Sequence, residues 1–367
     1  MPIYGAPVTN IKDVFWAFFS YHSPPKNEFD FGRGFQPILY NLGRWALYDA
    51  VVNLAGKDGS VWVPSYFCEE TLIPLRSNQI KIHFYPVEER LAPDFDYIQR
   101  NLKDQTLPTC FLLVHYFGFP NCTVESYRFC IENNLILIED AAHVLELGPG
   151  EIGSRGEAII LSPRKLLAVP EGGLLLLRTY KKIPPPPAAP FPYRWVAKNL
   201  VKEFLRFIGI GNGLVASKRQ NNLKKYDTDK FESSGIKTLG PFATRILIRA
   251  FKDIESAREK RYRNYQRLIQ LLKETSHEEL IFRKDLPAGC TPYALILRDK
   301  NQNTMITRLQ RFGIPAYSWP TLPPEVLGNS KYEMANQLKQ SLIFLPCHQD
   351  LTEAECVRII DVICNKL

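Results

Sequence analysis

Hydrophobic and polar positions alternate between two textures from about residue 42 to residue 180. Short, continuous apolar runs occur at "VWVP", "IHFYPV", "CFLLVHYF", "LILIEDA", "EAIILS" and "GGLLLLRT". Between several of them, apolar residues return at helical spacing in "GRWALYDAVVNLAG", "FCEETLIPLRSN", "PDFDYIQRNLKD" and "VESYRFCIENN". A strand that is apolar on both sides must be covered on both faces, so the alternation predicts an α/β fold with a mostly parallel sheet between layers of helix. Polar residues gather where the runs stop: His115 after "FLLV", Glu139 and Asp140 after "LILI", Ser162 after "AIIL". Open α/β sheets bind ligands beyond the carboxyl ends of their strands, so these positions are expected to border a site.

The texture then breaks. "KKIPPPPAAPFPYRW" holds too many prolines for a helix or sheet interior and reads as a stiff, extended connector. In "RWVAKNLVKEFLRFIG", Arg194, Lys198, Lys202 and Arg206 recur at four-residue steps, while Trp195, Leu200, Val201, Phe204, Leu205 and Ile208 form an apolar side. That is an amphipathic helix with a basic stripe. A packed helix with a solvated charged face is the plain reading. A peripheral membrane contact through 194–209 is the alternative and needs a free apolar face. From about residue 250, "FKDIESAREKRYRNYQRLIQLLKE" predicts one long charged helix. A strand "CTPYALILR", a helix "NTMITRLQRFG", a strand "SLIFLPCH" and a helix "EAECVRIIDVICNKL" follow. The expected organisation is a large α/β domain over 1–250, with a proline-rich and basic insertion at about 182–230, and a small α+β domain over 251–367.

Composition narrows the class. A chain of 367 residues exceeds what one core usually serves, in keeping with two units. The net charge of +8 raises the question of nucleic acid. Yet Arg194, Lys198, Lys202, Arg206, Lys218, Arg219, Lys224 and Lys225 fall in one segment, opposed there by Glu203 alone, so the excess is local and nucleic acid is not the expected partner. The start "MPIYGAPVTNIKDVFWAFF" lacks the pattern of a secretory signal, and no run approaches the ~20 apolar residues of a membrane span. Cys68, Cys110, Cys122, Cys130, Cys290, Cys347, Cys356 and Cys364 form no C-x-x-C pair and no zinc-ligand spacing, so no metal site is expected. Reduced, mostly buried thiols of a cytoplasmic protein are expected.

Three segments carry candidate chemistry. In "NLGRWALYDAVV", Gly43 begins a helix whose first-turn N–H groups and dipole suit a phosphate, with Arg44 adding charge and the hydroxyl of Ser162 able to complete the cradle. In "LILIEDAAHVL", Asp140 sits at the strand edge and His143 one helical step later. Taken alone, Asp140 reads as a helix cap. In "SPRKLLAVPEGG", Lys165 lies in a tight turn between two strands, and a crowded lysine loses its proton and becomes a nucleophile. A phosphate-binding helix start, a strand-end acid and a strand-end lysine, in that order, predict a pyridoxal 5′-phosphate (PLP) site.

These segments resemble the DegT/DnrJ/StrS group of aminotransferases, fold type I enzymes that mostly aminate keto sugars. The likeness covers roughly residues 40–180; "REKRYRNYQRL" and "IFLPCHQDLT" agree more loosely. The resemblance implies a seven-stranded, mostly parallel sheet. It implies Gly43, Arg44 and Ser162 at the cofactor phosphate, Asp140 at the ring nitrogen, His143 near the ring hydroxyl and Lys165 holding the aldehyde. Two departures stand out. The family's ring-stacking loop here reads "VPSYFCEET", which puts Cys68 near the aromatic position and leaves Tyr66 or Phe67 to stack. The family's asparagine that reaches the partner subunit's phosphate is missing from "SSGIKTLGPFATRI", where Ser233, Ser234 or Lys237 could substitute.

The implied reaction is amino transfer from an amino acid, with glutamate the expected donor, to a nucleotide-linked keto sugar. The setting implied is cell-surface polysaccharide or related glycan synthesis, by a cytoplasmic homodimer. The alternatives are a PLP-dependent lyase or desulfurase, against which the buried look of the cysteines counts, and a non-catalytic relative, against which Lys165 and Asp140 count. Lys165 also counts against the related dehydratases, which carry histidine there. Around "AYSWPTLPPEV" and beyond, Tyr317, Trp319 and His348 are candidates for the sugar pocket or for packing.

Overall fold

The six apolar runs become strands β2 Ser60–Pro64, β3 Lys81–Tyr85, β4 Cys110–Val114, β5 Ile136–Ala141, β6 Ala158–Leu161 and β7 Gly173–Leu177. They are seen in a computed structural model that describes residues 3–20, 35, 37–102, 107–179, 186–207, 235 and 237–364. A seventh strand, β1 Ile38–Tyr40, completes a sheet of order β1-β7-β6-β5-β4-β2-β3. β2 to β6 are parallel; β7 runs antiparallel to β6, and β1 antiparallel to β7. The reversal at β7 has a local cause. The connection from β6, residues 162–172, holds no α-helix, and a parallel return usually needs a longer crossover built on one.

Both faces of the sheet are buried, as the unbroken apolar runs require. On β6, Ala158 and Ile160 face one core cluster while Ile159 and Leu161 face the other; on β7, Leu175 and Leu177 alternate in the same way with Leu174 and Leu176. Helices α1 Ile11–Phe19, α2 Gly43–Ala55, α3 Glu69–Ser77, α4 Phe95–Asn101 and α5 Thr123–Glu132 lie in this half. α1 begins at Asn10, whose side chain caps it by accepting from Lys12 N at 2.9 Å.

The later part of the chain forms α6 Tyr193–Phe207, α7 Pro241–Lys252, α8 Ile254–Glu274, β8 Leu295–Arg298, α9 Gln302–Arg311, α10 Glu333–Ser341, β9 Leu342–Leu345 and α11 Glu353–Ile363. β8 and β9 pair antiparallel, and α8 packs on α11. The predicted single helix from residue 250 is interrupted. Asp253 leaves helical geometry (φ −105°, ψ 17°), ends α7 and precedes α8. Its short side chain competes with the backbone and favours helix ends over interiors. Buried residues of α8, β8, β9 and α11 join the same core cluster as one face of the sheet.

α6 uses its apolar side only in part. Val196 and Asn199 are buried, whereas Leu200, Val201 and Phe204 are exposed, as are Arg194 and Lys198. The basic segment over 208–234, with Ser233 and Ser234, the side chains of Leu205 and Arg206, and residues 180–185, which include Pro184 and Pro185 of the proline run, lie outside the described residues.

Two glycines set close approaches that shape the site. A Cβ on Gly173 would lie 2.4 Å from the Leu42 carbonyl carbon and 2.5 Å from Gly43 N, so only glycine lets β7 begin against the start of α2. Gly118 (φ +86°) would place a Cβ 2.0 Å from Thr291 O, where the C-terminal part of the chain meets the loop after β4.

Candidate active site

The carboxyl ends of β5 and β6, the start of α2 and the turn after β6 border one cavity. Gly43, Arg44, Asp140, His143, Ser162 and Lys165 all lie on its wall. Tyr66 and Phe67 do not. They are 0% and 3% exposed and belong to the core, with the Tyr66 ring 4.7 Å from that of Trp319. The chain leaving β2 stays inside through Phe67 and reaches the cavity at Cys68, the residue that begins α3. The expectation that Tyr66 or Phe67 stacks on a ligand ring is therefore corrected. The aromatic wall is made instead by Phe117, Tyr293, Tyr317, Trp319 and Phe344.

At the centre, Lys165 Nζ lies 3.2 Å from His143 Nε2. His143 is fixed from the other side, where Phe117 N–H donates to Nδ1 at 3.2 Å. An imidazole that accepts at Nδ1 carries its proton on Nε2, so Nε2 donates and Lys165 must accept. Only the neutral amine has the lone pair to do so. Burial pulls the pKa of Lys165 down; Asp140 pulls it up, Arg164 pushes it down, Cys68 pulls it up and Arg44 pushes it down, the net being downward. Burial also holds His143 well below the usual histidine range, which keeps the ring neutral. Stacking completes the clamp: the His143 ring lies between Tyr293 (4.3 Å, 13°) and Phe117 (5.8 Å, 11°).

Asp140 is buried and makes no ion pair among the described residues; its Oδ1 accepts from Ala142 N at 2.9 Å. Burial raises its pKa, with Lys165 the chief opposing influence. A carboxylate in this position favours a cation placed against it.

The other end of the cavity suits an anion. Leu42, at the N-cap of the 13-residue α2, offers no side-chain cap; Trp45 N–H donates to Leu42 O at 3.1 Å, and Gly43 and Arg44 of the first turn border the cavity. A Cβ on Gly43 would touch Ser162 Oγ at 3.5 Å, which measures how close that hydroxyl lies to the helix start. Ser162 Oγ donates to Gly172 O at 3.2 Å. The guanidinium of Arg44 donates to Glu70 O at 3.1 Å and pairs with Glu70 Oε2 at 3.5 Å. The helix start, the serine and the arginine fit a phosphate ester, and the neutral lysine and lone buried acid fit an aldehyde on a protonated ring. The residues present are thus those that PLP needs.

Two of the strand-end polar residues serve the fold instead of the cavity. His115 and Glu139 are fully buried and joined at 2.9 Å. Glu139 also accepts from Gly153 N (2.6 Å), Arg155 N (3.0 Å) and Gly156 N (2.6 Å), and so pins the loop between β5 and β6. His348 caps a turn, bonded to Tyr4 O at 2.8 Å, and is absent from the cavity wall, whereas Tyr317 and Trp319 stand on it.

Three residues escaped the sequence reading. Phe117 holds His143 from a left-handed conformation (φ 60°, ψ 19°), a costly geometry for a bulky side chain and a mark of local over-determination. Tyr293 arrives from the C-terminal part of the chain. Arg261 of α8 is 1% exposed and joins both sides, donating to Leu166 O at 2.7 Å and to Pro292 O and Tyr293 O at 3.2 Å each. The "HYFGF", "KRYRN" and "TPYAL" segments hold these residues without any local pattern that marks them.

No protein-family model matches the sequence, and no curated protein matches it by sequence. Solved structures do match in three dimensions. A DegT DnrJ EryC1 StrS aminotransferase from Brucella abortus is 18% identical with a TM-score of 0.66, covering 97% of this chain and 95% of that one. The aminotransferase TlmJ from Streptoalloteichus hindustanus is 18% identical with a TM-score of 0.72, covering 100% and 98%. A sugar aminotransferase of Streptococcus pneumoniae in its PLP form is 15% identical with a TM-score of 0.70, covering 100% and 99%. The fold is that of these aminotransferases. It is the fold type I architecture, with the reversed β7 and the small C-terminal sheet in place. The same fold also serves an E. coli GDP-4-keto-6-deoxy-D-mannose-3-dehydratase with bound hydrated PLP, so chemistry has to be argued from the site.

Proposed function

We propose that the protein is a PLP-dependent aminotransferase that moves an amino group from an amino acid, with L-glutamate the expected donor, to a keto sugar attached to a nucleotide. The observation that carries this reading is the Lys165 amine, 3.2 Å from His143 Nε2 on the same cavity wall as the buried Asp140. PLP, when bound, supplies an aldehyde and an electron-withdrawing ring that acidifies the carbon bearing the amino group.

This chain's residues would do the rest. Gly43, Ser162 and Arg44 hold the phosphate. Asp140 takes the ring nitrogen as its missing cation and keeps it protonated. Lys165 would hold the aldehyde through Nζ and, as a free amine, would carry a proton on and off the substrate carbon. His143 orients that amine, and Phe117 and Tyr293 orient His143. The wall formed by Tyr317 and Trp319 is where the sugar would be selected. A histidine at position 165 would favour dehydration; the lysine supports amino transfer. A desulfurase would need a reactive thiolate, whereas burial, with Glu70 adding to it, pushes the Cys68 thiol up and keeps it protonated. A cytoplasmic homodimer acting in glycan synthesis is part of the same proposal. Among the described residues no helix is long and apolar enough to cross a membrane.

The test is spectroscopic. Purified protein mixed with PLP should develop a visible absorbance band that collapses on adding L-glutamate and returns with a nucleotide-linked keto sugar. Absence of the band in the wild type, or the same glutamate response in Lys165→Ala, ends the proposal.

A further inference from the structure

The turn that carries Lys165 also carries Arg164, which has no place in the reading above. Arg164 lines the same cavity as Gly43, Arg44 and Ser162. Its backbone N lies 3.5 Å from the position of a Cβ on Gly172, so the turn rests on the glycine pair that brings β7 against the start of α2. Its side chain is accessible, and among the described residues it makes no ion pair and no hydrogen bond. Among the described residues neither carboxylate whose charge reaches it bonds to it: Glu70 is engaged by Arg44, and Glu171 accepts from Gly240 N while its Oε2 has no hydrogen-bond partner. On the cavity wall, Arg44, engaged by Glu70, and the unbonded Arg164 stand with the start of α2, and a planar guanidinium fork matches phosphate oxygens two at a time.

We propose that Arg164 is a ligand of the phosphate ester bound at the start of α2, sharing its charge with Arg44. The proposal rests on the PLP reading and assigns the ester to the cofactor. The diphosphate of a nucleotide-linked sugar has the same chemistry and is the competing source.

Pyridoxal separates the two, since it keeps the aldehyde and ring of PLP and lacks the phosphate. Apo-protein is titrated with PLP and with pyridoxal, followed by absorbance, for the wild type, Arg164→Ala and Arg164→Lys. Arg164→Ala should weaken PLP by roughly 10- to 100-fold, what losing a charged hydrogen bond costs, and pyridoxal by no more than about twofold. Arg164→Lys should fall between. Any change in Lys165 basicity cancels in the ratio of the two ligands. Apo Arg164→Ala should melt with the wild type, because the side chain holds nothing. Equal losses for both ligands, or unchanged PLP affinity, overturn the assignment; unchanged PLP with a raised KM for the nucleotide sugar gives the arginine to the substrate instead. A wild type that binds neither compound removes the functional reading, and this assignment with it.

Discussion

Lys165 Nζ and His143 Nε2 lie 3.2 Å apart, with the histidine as donor because Phe117 N–H already occupies Nδ1. The reactive group is thus held by a partner that is itself fixed by the backbone. Its basicity should be measurable. The rate of PLP capture is expected to rise with pH and level off well before a solvated lysine would titrate, since the pKa of Lys165 is lowered. Asp140 is an upward influence on that value and Arg164 a downward one, so Asp140→Asn should move the midpoint down and Arg164→Gln should move it up. Stopped-flow absorbance reads both. Shifts of the opposite sign contradict the electrostatics.

Asp140 should trade stability for chemistry. Its folded pKa is raised above the unfolded value, so its carboxylate form is disfavoured by folding: any benefit is full below the ordinary aspartate range and is lost as pH rises through the folded pKa. Apo Asp140→Asn is expected to melt higher than wild type at pH 7, by roughly 1 kcal/mol or ~2–4 °C, with the gain vanishing in acid. Turnover should fall by about 100-fold or more, since the ring nitrogen loses its counter-charge. A lower melting temperature at pH 7 would mean that the buried acid holds the fold together.

Glu139 should behave in the opposite way. Although burial alone would raise it, the bonds from His115, Gly156 and Arg155 bring its pKa below the ordinary value. Its stabilising contribution is therefore present above the unfolded glutamate pKa and lost as pH falls through the folded one. Glu139→Ala is expected to cost about 3–5 kcal/mol at pH 7 by leaving buried donors unpaired, with the difference from wild type shrinking toward low pH. Urea unfolding at several pH values checks the slope.

Arg261→Lys tests the brace between α8, the Lys165 turn and Tyr293. A lysine cannot reach Leu166 O, Pro292 O, Tyr293 O and Gln349 Oε1 together, as the guanidinium does. The variant should lose about 2–3 kcal/mol of stability and turn over more slowly, through looser Tyr293 and His143. Wild-type kcat in a destabilised variant would confine Arg261 to a folding role.

The legible parts of the molecule were those with a local cause. β2 to β7 show in the sequence because burial on both faces removes polar residues from the run, and the helix start, acid and lysine show because they sit where such runs stop. β1 is a strand only by virtue of pairing with β7, far along the chain, so three residues gave no warning of it. The break at Asp253 hides in a charged helical pattern where an aspartate is unremarkable. His115 and Glu139 occupy strand ends like those of Asp140, and only the path of the loop over 153–156 decides that they turn inward. Phe117, Tyr293 and Arg261 act through contacts between distant segments, and periodicity carries no record of those.

The pairing of β1 with β7 also orders events during synthesis. The start of α2 is brought against Gly173, so the anion cradle cannot close until Gly173 has left the ribosome and β7 has docked. Until then the nascent sheet presents β6 as an open edge, ready to pair with another chain. Cofactor supplied in the cell should therefore be captured only after β7 has docked, and not by chains that stop short of Gly173.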